Sequence, residues 1–315
     1  MINALLIGCG SVGLKHLEVL RSFTNKIDVV DIKDLSNVIS GYSDIRHFYS
    51  INDIERDNKY ELVVIATWAN SHLKFLKDSI KFNPRGIVIE KPLSNCIRDC
   101  KEILMHTEKN KINVLCNFTR SISLLHFEIL NFFNLNNDEI LRIKWETNGN
   151  CLATNGIHWY NLAENIFNSK ADNANGITHL VNENPRSSDL NLLQGNMTFT
   201  FKNNKKLYLS TEKKTADNYI YFEGKNIKAR LSGNSLEVYK NQSYEKLFNL
   251  SFNFHTELLK MYHEVLNPTK LQIFNIKSTE NFLSLVIPLI SDKESGNKLY
   301  DAKIQRIEEV EVPLS

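Results

Sequence analysis

Ala4-Leu5-Leu6-Ile7-Gly8-Cys9-Gly10-Ser11-Val12-Gly13, followed by Leu14-Lys15-His16-Leu17-Glu18-Val19-Leu20, is the stretch on which the reading of the fold turns. Four apolar residues in a row, without alternation, read as a strand buried on both faces, as in parallel sheets covered by helices. Gly8 lets the chain turn, Gly10 removes the side chain that would block a pyrophosphate, and Gly13 lets the following helix pack closely on the strand. The unpaired N–H groups at that helix's start, reinforced by its dipole, suit phosphate oxygens. Gly8, Gly10, Ser11, Val12 and Gly13 are therefore candidate cofactor-binding residues. A second strand, Ile27-Asp28-Val29-Val30-Asp31-Ile32, places Asp31 near the spacing at which a carboxylate meets an adenosine ribose. Asp31 predicts NAD in preference to NADP, because it would accept hydrogen bonds from a ribose 2'-hydroxyl and repel a 2'-phosphate. Lys33 could partly neutralise that repulsion, which leaves NADP open.

The 315 residues exceed what one hydrophobic core usually supports, so two domains are expected. Lys and Arg total 38 against 36 Asp and Glu, so no broad basic face for nucleic acid is implied and small-molecule partners are favoured. The 5 cysteines form no CxxC pair and no even framework, which favours reduced thiols in the cytoplasm and offers no metal site. The N-terminus passes straight into the first strand without a charged leader, and no apolar run approaches the length needed to cross a bilayer. Neither secretion nor membrane anchoring is expected.

Taken in order, a helix over 12–23 leads to the second strand, and buried strands follow at 62–66, 87–89 and 113–118, with helices through Phe82 and over 95–108. This alternation predicts a β/α half of about 120 residues. Thr67 to His72 follow one buried strand, and Glu90-Lys91-Pro92 follow the next, at the sheet edge where ligands sit in such folds. Beyond Arg120 the pattern changes. Helices are expected over 122–133 and 156–167 and a strand over 140–147, while 168–175 reads as a polar loop. Alternating runs at 197–201, 207–211, 219–223, 227–231 and 236–239 predict an antiparallel sheet with one solvated face, with a hairpin loop at Lys202 to Lys205. Helices over 252–266 and 279–291 close the chain, the second interrupted by Pro288.

Gly8-Cys9-Gly10-Ser11-Val12-Gly13 with His16, the Thr67 to His72 segment, Glu90-Lys91-Pro92, Arg120 and Gly156-Ile157-His158 together resemble the glucose-fructose oxidoreductase, inositol dehydrogenase and MocA family. The likeness in order and spacing runs over nearly the whole chain. It implies an α/β protein with an N-terminal Rossmann dinucleotide-binding domain, residues 1–120, and a C-terminal α/β domain, residues 121–315. The second domain is expected to bind substrate through an open, largely antiparallel sheet that also supports a homo-oligomer, dimer or tetramer. The implied activity is hydride transfer between NAD(P) and a carbohydrate.

Lys91 is the first catalytic candidate, since its ammonium at a strand's carboxyl end could hydrogen-bond a sugar hydroxyl or carbonyl, and Pro92 restricts it to extended geometry. Glu90 would orient that lysine or a cofactor hydroxyl, or simply cap the strand. His158 is the second candidate, matched to the family's histidine. Thr154 stands where the family commonly has Asp, and Asn161 replaces an acidic residue often found three positions after the histidine; a threonine cannot supply the charge that stabilises imidazolium. Thr154, Asn155, Trp159 and Asn161 are expected at the substrate, with Trp159 either stacking on a sugar ring or filling the domain interface. Thr67, Asn70 and His72 are expected along the nicotinamide ribose, with Trp68 replacing a frequent proline. His16 is expected to cap or pack. Arg120 would contact a substrate phosphate or carboxylate, or anchor the hinge.

The sequence thus predicts an NAD(P)-dependent enzyme that oxidises a ring hydroxyl to a ketone, on a sugar or a nucleotide-linked sugar of a bacterial surface-glycan pathway. A lyase or hydrolase using bound NAD transiently, and an NAD-binding sensor or scaffold that has lost catalysis, are the alternatives.

Overall fold

The structure, a computed structural model, describes residues 2–119, 124–181, 191–212, 219–249, 253–268, 276–292, 296–301 and 305–312. The chain divides into two compact units, one of Met1–Ser94, Arg98–Thr119 and Asn253–Ile276, the other of Asn95–Ile97, Arg120–Phe252 and Lys277–Ser315.

The first unit is built on six parallel strands, β1 (Ile2–Ile7), β2 (Thr24–Val30), β3 (Ile45–Phe48), β4 (Leu62–Ile65), β5 (Gly86–Ile89) and β6 (Asn113–Cys116), in the order β3-β2-β1-β4-β5-β6. Every neighbouring pair is parallel. The residues of β4 and β5 are fully buried, which is why their sequences lack alternation. Helices α1 (Ser11–Phe23), α2 (Ser36–Ile39), α3 (His72–Ile80) and α4 (Ile97–Asn110) lie between strands in the sequence. Strand order reverses between β1 and β4, which opens the crevice used for ligands in such sheets.

A break at residue 120 does not account for one element. The later helix Phe254–Leu266 belongs to the first unit, so that unit is discontinuous in sequence. Its buried residues Leu258, Met261, Tyr262 and Val265 recur at helical spacing and form one apolar stripe. A Cβ on Gly86 would lie 2.9 Å from Val265 Cγ1 and from the Val265 carbonyl oxygen, so glycine permits this close approach. Arg85 Nη2 donates to the Leu266 carbonyl at 3.1 Å, satisfying an acceptor at the helix's end.

The second unit carries α5 (Leu124–Leu135), α6 (Ile157–Phe167) and a nine-stranded sheet. Its strands are β7 (Arg142–Glu146), β8 (Ala171–Val181), β9 (Leu192–Phe201), β10 (Lys206–Ser210), β11 (Tyr219–Glu223), β12 (Ile227–Ser232), β13 (Ser235–Lys240), β14 (Ser243–Asn249) and β15 (Ile290–Asp292). The order is β14-β13-β12-β11-β7-β10-β9-β8-β15, with parallel pairing only at β7/β10 and β8/β15. The helix Phe254–Leu266 is α7, and α8 (Ser278–Val286) returns to the second unit. Tyr160 of α6 packs edge-on against Phe199 of β9 and Phe282 of α8, with ring centroids 5.0 and 5.4 Å apart. Glu164 accepts from Ser278 Oγ, and from Asn281 Nδ2 at 2.9 Å, which ties α6 to α8 by a satisfied buried carboxylate. The turn Lys202–Asn204 joins β9 to β10 as a hairpin, with Asn203 and Asn204 at positive φ.

Three elements differ from the sequence reading, the first being the helix expected over 279–291, which ends at Val286 and gives way to β15 at Ile290. The polar stretch expected as a loop begins β8, which pairs with β9 along its whole length, and Ser243–Asn249 adds β14 at the edge. Both are largely exposed, so neither carries the alternation that marks a half-buried strand. Among the described residues, no helix is long and apolar enough to cross a membrane.

Candidate functional site

The glycine turn between β1 and α1 sets the first half of the site. Gly8 has φ +89°, and a Cβ there would lie 2.7 Å from the Ala66 carbonyl oxygen and 2.9 Å from Thr67 Cγ2. The turn is thereby pressed against the loop that follows β4. A Cβ on Gly13 would come within 2.1 Å of the Gly8 carbonyl oxygen, whereas one on Gly10 meets nothing within 4 Å. Gly8 and Gly13 are thus required by packing, and Gly10 is the glycine that leaves open space. No side chain caps α1, and its first turn has no acidic residue, so its N–H groups are available to an anion. Gly10 and Ser11 are exposed and Val12 is half-buried, as a dinucleotide's pyrophosphate requires. This observed cradle fits NAD(P).

Asp31, at the end of β2, accepts from the Cys9 N–H at 2.6 Å through Oδ2 and from the Lys33 N–H at 2.9 Å through Oδ1. The carboxylate therefore holds the glycine turn from below while remaining half-exposed. Burial, and then the charge of Asp31, pushes the Cys9 thiol up to about 11, so it is no nucleophile at neutral pH.

The loop after β4 presents Thr67, half-buried, and Asn70, exposed, while Trp68 stands 47% exposed. Ser71 Oγ donates to Thr67 Oγ1 at 2.8 Å. His72 is not at the ribose. Its ring is buried, with Nδ1 3.1 Å from the Leu93 carbonyl oxygen and Nε2 3.0 Å from the Thr67 carbonyl oxygen. It braces the two loops that flank Lys91, and burial lowers its pKa.

Glu90 and Lys91 follow β5 at the same edge of the sheet, and the Lys91–Pro92 bond is cis. Lys91 is half-buried and Glu90 buried. Glu90 Oε1 lies 2.9 Å from His16 Nε2 and accepts from Asn117 Nδ2; on the other side of the imidazole, His16 Nδ1 lies 2.6 Å from the Tyr262 hydroxyl. Burial alone would raise the Glu90 carboxyl, but the hydrogen bonds from His16 and Asn117 and the charge of Lys91 hold it below the ordinary carboxylate range. His16, expected to pack, is a fully buried member of this network. Asn117 and Tyr262 were absent from the sequence reading. Asn117 follows β6 at the edge that also carries Glu90, a signal available in the strand pattern; Tyr262 sits in an apolar stripe and gave none.

In the second unit, Leu152–Gly156 winds as a π turn and α6 begins at Ile157, so Thr154 lies before the helix that carries His158. A Cβ on Gly156 would lie 3.0 Å from Leu209 Cδ1 and 3.6 Å from Trp145, which seats this turn closely on the sheet. Thr154 and His158 are buried and Asn155 is half-buried. Two expected substrate contacts are corrected. Asn161 is fully buried and donates to Ser278 Oγ at 2.8 Å, a bond inside the core. Trp159 is 2% exposed and packs against Trp145, ring centroids 6.4 Å apart, so it fills the interior instead of offering a face to a sugar. Arg120 lies outside the described residues. Among the described residues, no group of three or more His, Cys, Asp or Glu is placed to hold a metal ion.

Residues 2–118 match the model of the GFO_IDH_MocA family, described as an oxidoreductase family with an NAD-binding Rossmann fold. No curated protein sequence matches the chain. Among solved structures, UDP-N-acetylglucosamine 3-dehydrogenase GnnA from Acidithiobacillus ferrooxidans is similar at TM-score 0.72 and 12% identity, covering 91% of this chain and 96% of its own. KijD10, a 3-ketoreductase from Actinomadura kijaniata in complex with NADP and TDP-benzene, is similar at TM-score 0.72 and 12% identity, covering 89% and 94%. Aldose-aldose oxidoreductase from Caulobacter crescentus gives TM-score 0.73 at 12% identity, covering 89% and 94%. At such identities the likeness is one of fold. The glycine turn, the strand order and the matched family model agree that residues 2–118 form an NAD(P)-binding Rossmann domain of the kind that the GFO_IDH_MocA oxidoreductase model describes.

Proposed function

We propose that the protein is an NAD-preferring enzyme that interconverts a ring hydroxyl and a ketone on a carbohydrate, with a nucleotide-linked sugar as its leading substrate class. The first unit would bind cofactor and the second would bind substrate. The observation that carries this reading is Lys91, at the carboxyl end of β5 beside the buried Glu90 carboxylate, on the same sheet edge as the glycine turn. NAD(P), held by Gly8 to Gly13, Asp31, Thr67 and Asn70, supplies the acceptor or donor of hydride. Lys91 would hold the reacting oxygen by an ammonium hydrogen bond and exchange the proton lost or gained there. His158 would be the second acid/base group, with Thr154 and Asn155 beside it in the sequence contacting substrate hydroxyls. The names of the structural relatives support the substrate class, since they include a nucleotide-sugar dehydrogenase, a 3-ketoreductase and an aldose oxidoreductase. Self-association into a dimer or tetramer belongs to the same proposal and is checked by light scattering.

The test is a cofactor-fluorescence screen of nucleotide sugars and free polyols in both directions. The expected result is substrate-dependent reduction of NAD+ or oxidation of NADH that Lys91→Met removes. Cofactor that copurifies and turns over only within the active site, with no net reduction, would replace this reading with a lyase or hydrolase.

A further inference from the structure

Tyr262 is the one residue of α7 that brings a hydroxyl into the interior polar network of the first unit. Its oxygen lies 2.6 Å from His16 Nδ1, whose other nitrogen lies 2.9 Å from Glu90 Oε1. The proton positions follow from the chemistry. An ionised carboxylate only accepts, so His16 Nε2 carries the hydrogen directed at Glu90. A neutral imidazole then has a bare Nδ1, which accepts the Tyr262 O–H. Burial and the charge of Glu90 keep that phenol protonated. Each group in the chain Tyr262, His16, Glu90 thus fixes the role of the next, and Asn117 donates to the same carboxylate oxygen.

We propose that Tyr262 is a positioning residue that acts through His16 to keep Glu90 an anion and thereby keep the neighbouring Lys91 protonated. This rests on the assignment of Lys91 to proton transfer. The carboxylate is faced by His16 from α1, Asn117 after β6 and Lys91 beside it in the chain, with Tyr262 of α7 and His72 of α3 within reach of its charge. Cys116 Sγ donates to the Glu90 carbonyl oxygen at 3.9 Å. Of these, only Tyr262 reaches Glu90 through a second titratable side chain. Removing its hydroxyl leaves Nδ1 buried without its donor and takes away the polarisation that makes Nε2–H a stronger donor to Glu90. The bond that stabilises the carboxylate weakens, and the ammonium beside it loses part of its reason to stay charged.

Two measurements test this without a substrate. In wild-type protein labelled with 15N-histidine, with the His16 signals assigned by their loss in His16→Gln, the Nε2–H tautomer is expected; the Nδ1–H tautomer overturns the proposal. Competitive labelling with acetic anhydride, read by peptide mass spectrometry against pH, then gives the Lys91 titration. Tyr262→Phe is expected to lower its midpoint by about half a pH unit, a roughly threefold rise in reactivity below the midpoint. Glu90→Gln should lower it at least as far, and Tyr262→Phe should add nothing in that background. An unmoved Lys91 midpoint in folded Tyr262→Phe, or equal added shifts in the Glu90→Gln background, overturns the proposal. Should Tyr262→Phe not fold, the wild-type tautomer still decides. Normal turnover in Lys91→Met would remove the catalytic role of Lys91 and leave these titrations standing, so the two readings fail separately.

Discussion

The Asp31 carboxylate accepts a 2.6 Å hydrogen bond from the Cys9 N–H, which joins the end of β2 to the middle of the glycine turn. A residue expected to read the cofactor's ribose therefore also shapes the loop that cradles its phosphates. Because both oxygens accept from backbone N–H groups, of Cys9 and Lys33, the carboxylate's position is set before any cofactor arrives.

The first prediction is a preference for NADH over NADPH in fluorescence titration. A 2'-phosphate would meet a fixed negative charge, at a cost of about 1 kcal/mol even in a water-like environment and more in a partly buried one. Asp31→Ser should narrow the preference and weaken NADH binding at the same time, because the Cys9 N–H loses its acceptor. Tighter binding of NADPH than NADH by the unaltered protein would overturn the assignment.

Two glycines of one turn should behave in opposite ways. Gly13→Ala puts a methyl 2.1 Å from the Gly8 carbonyl oxygen and should destabilise the protein by roughly 1–3 kcal/mol in urea unfolding, the usual cost of overpacking. Gly10→Ala meets nothing within 4 Å and should leave stability nearly unchanged while weakening NADH at least about tenfold, or about 1.4 kcal/mol. Normal cofactor affinity in Gly10→Ala would mean that the pyrophosphate lies elsewhere.

Lys91→Met should retain NADH binding and lose turnover of an identified substrate by about 100-fold or more, the usual size for a positioned acid/base group. Near-normal turnover would exclude Lys91 from the chemistry.

His72 sets a pH dependence of stability. Burial lowers its folded-state pKa, so the unfolded chain takes up a proton first as pH falls. Its contribution is fully present above the unfolded value of about 6.5 and is lost progressively below it. The midpoint of thermal unfolding should fall between pH 7 and pH 5, with part of that slope absent in His72→Gln. An unchanged slope in folded His72→Gln would show that the ring is not the group responsible.

Much of the first unit was legible because its strands are buried on both faces: Leu62 to Ile65 and Ile87 to Ile89 admit no polar residue, and the glycine turn has steric demands that only one residue type meets. Lys91 was legible from its place after a strand. Asn161 was read toward substrate because motif spacing gives sequence neighbours of His158 but not the side of the helix they face, and Ser278, which claims it, is far away in the chain; Trp159, left open between stacking and packing, packs against Trp145. His72 shows the same limit, since its carbonyl partners Thr67 and Leu93 appear only once both loops are folded. The strand β8 escaped because exposed residues satisfy its backbone through β9 without writing alternation into the sequence.

The return of α7 to the first unit has a consequence for the order of biosynthesis. During translation the six parallel strands are complete once Cys116 has emerged, yet the stripe that covers Gly86 and the hydroxyl that meets His16 are still unmade. The nascent unit must wait, with apolar surface open and a buried imidazole short of its donor, until the ribosome has passed Leu266. Contacts of such long sequence separation fold slowly and leave exposed surface in the interval. The same stitch makes the finished unit hard to release by cutting the chain near residue 120, since the N-terminal piece would leave without its last helix.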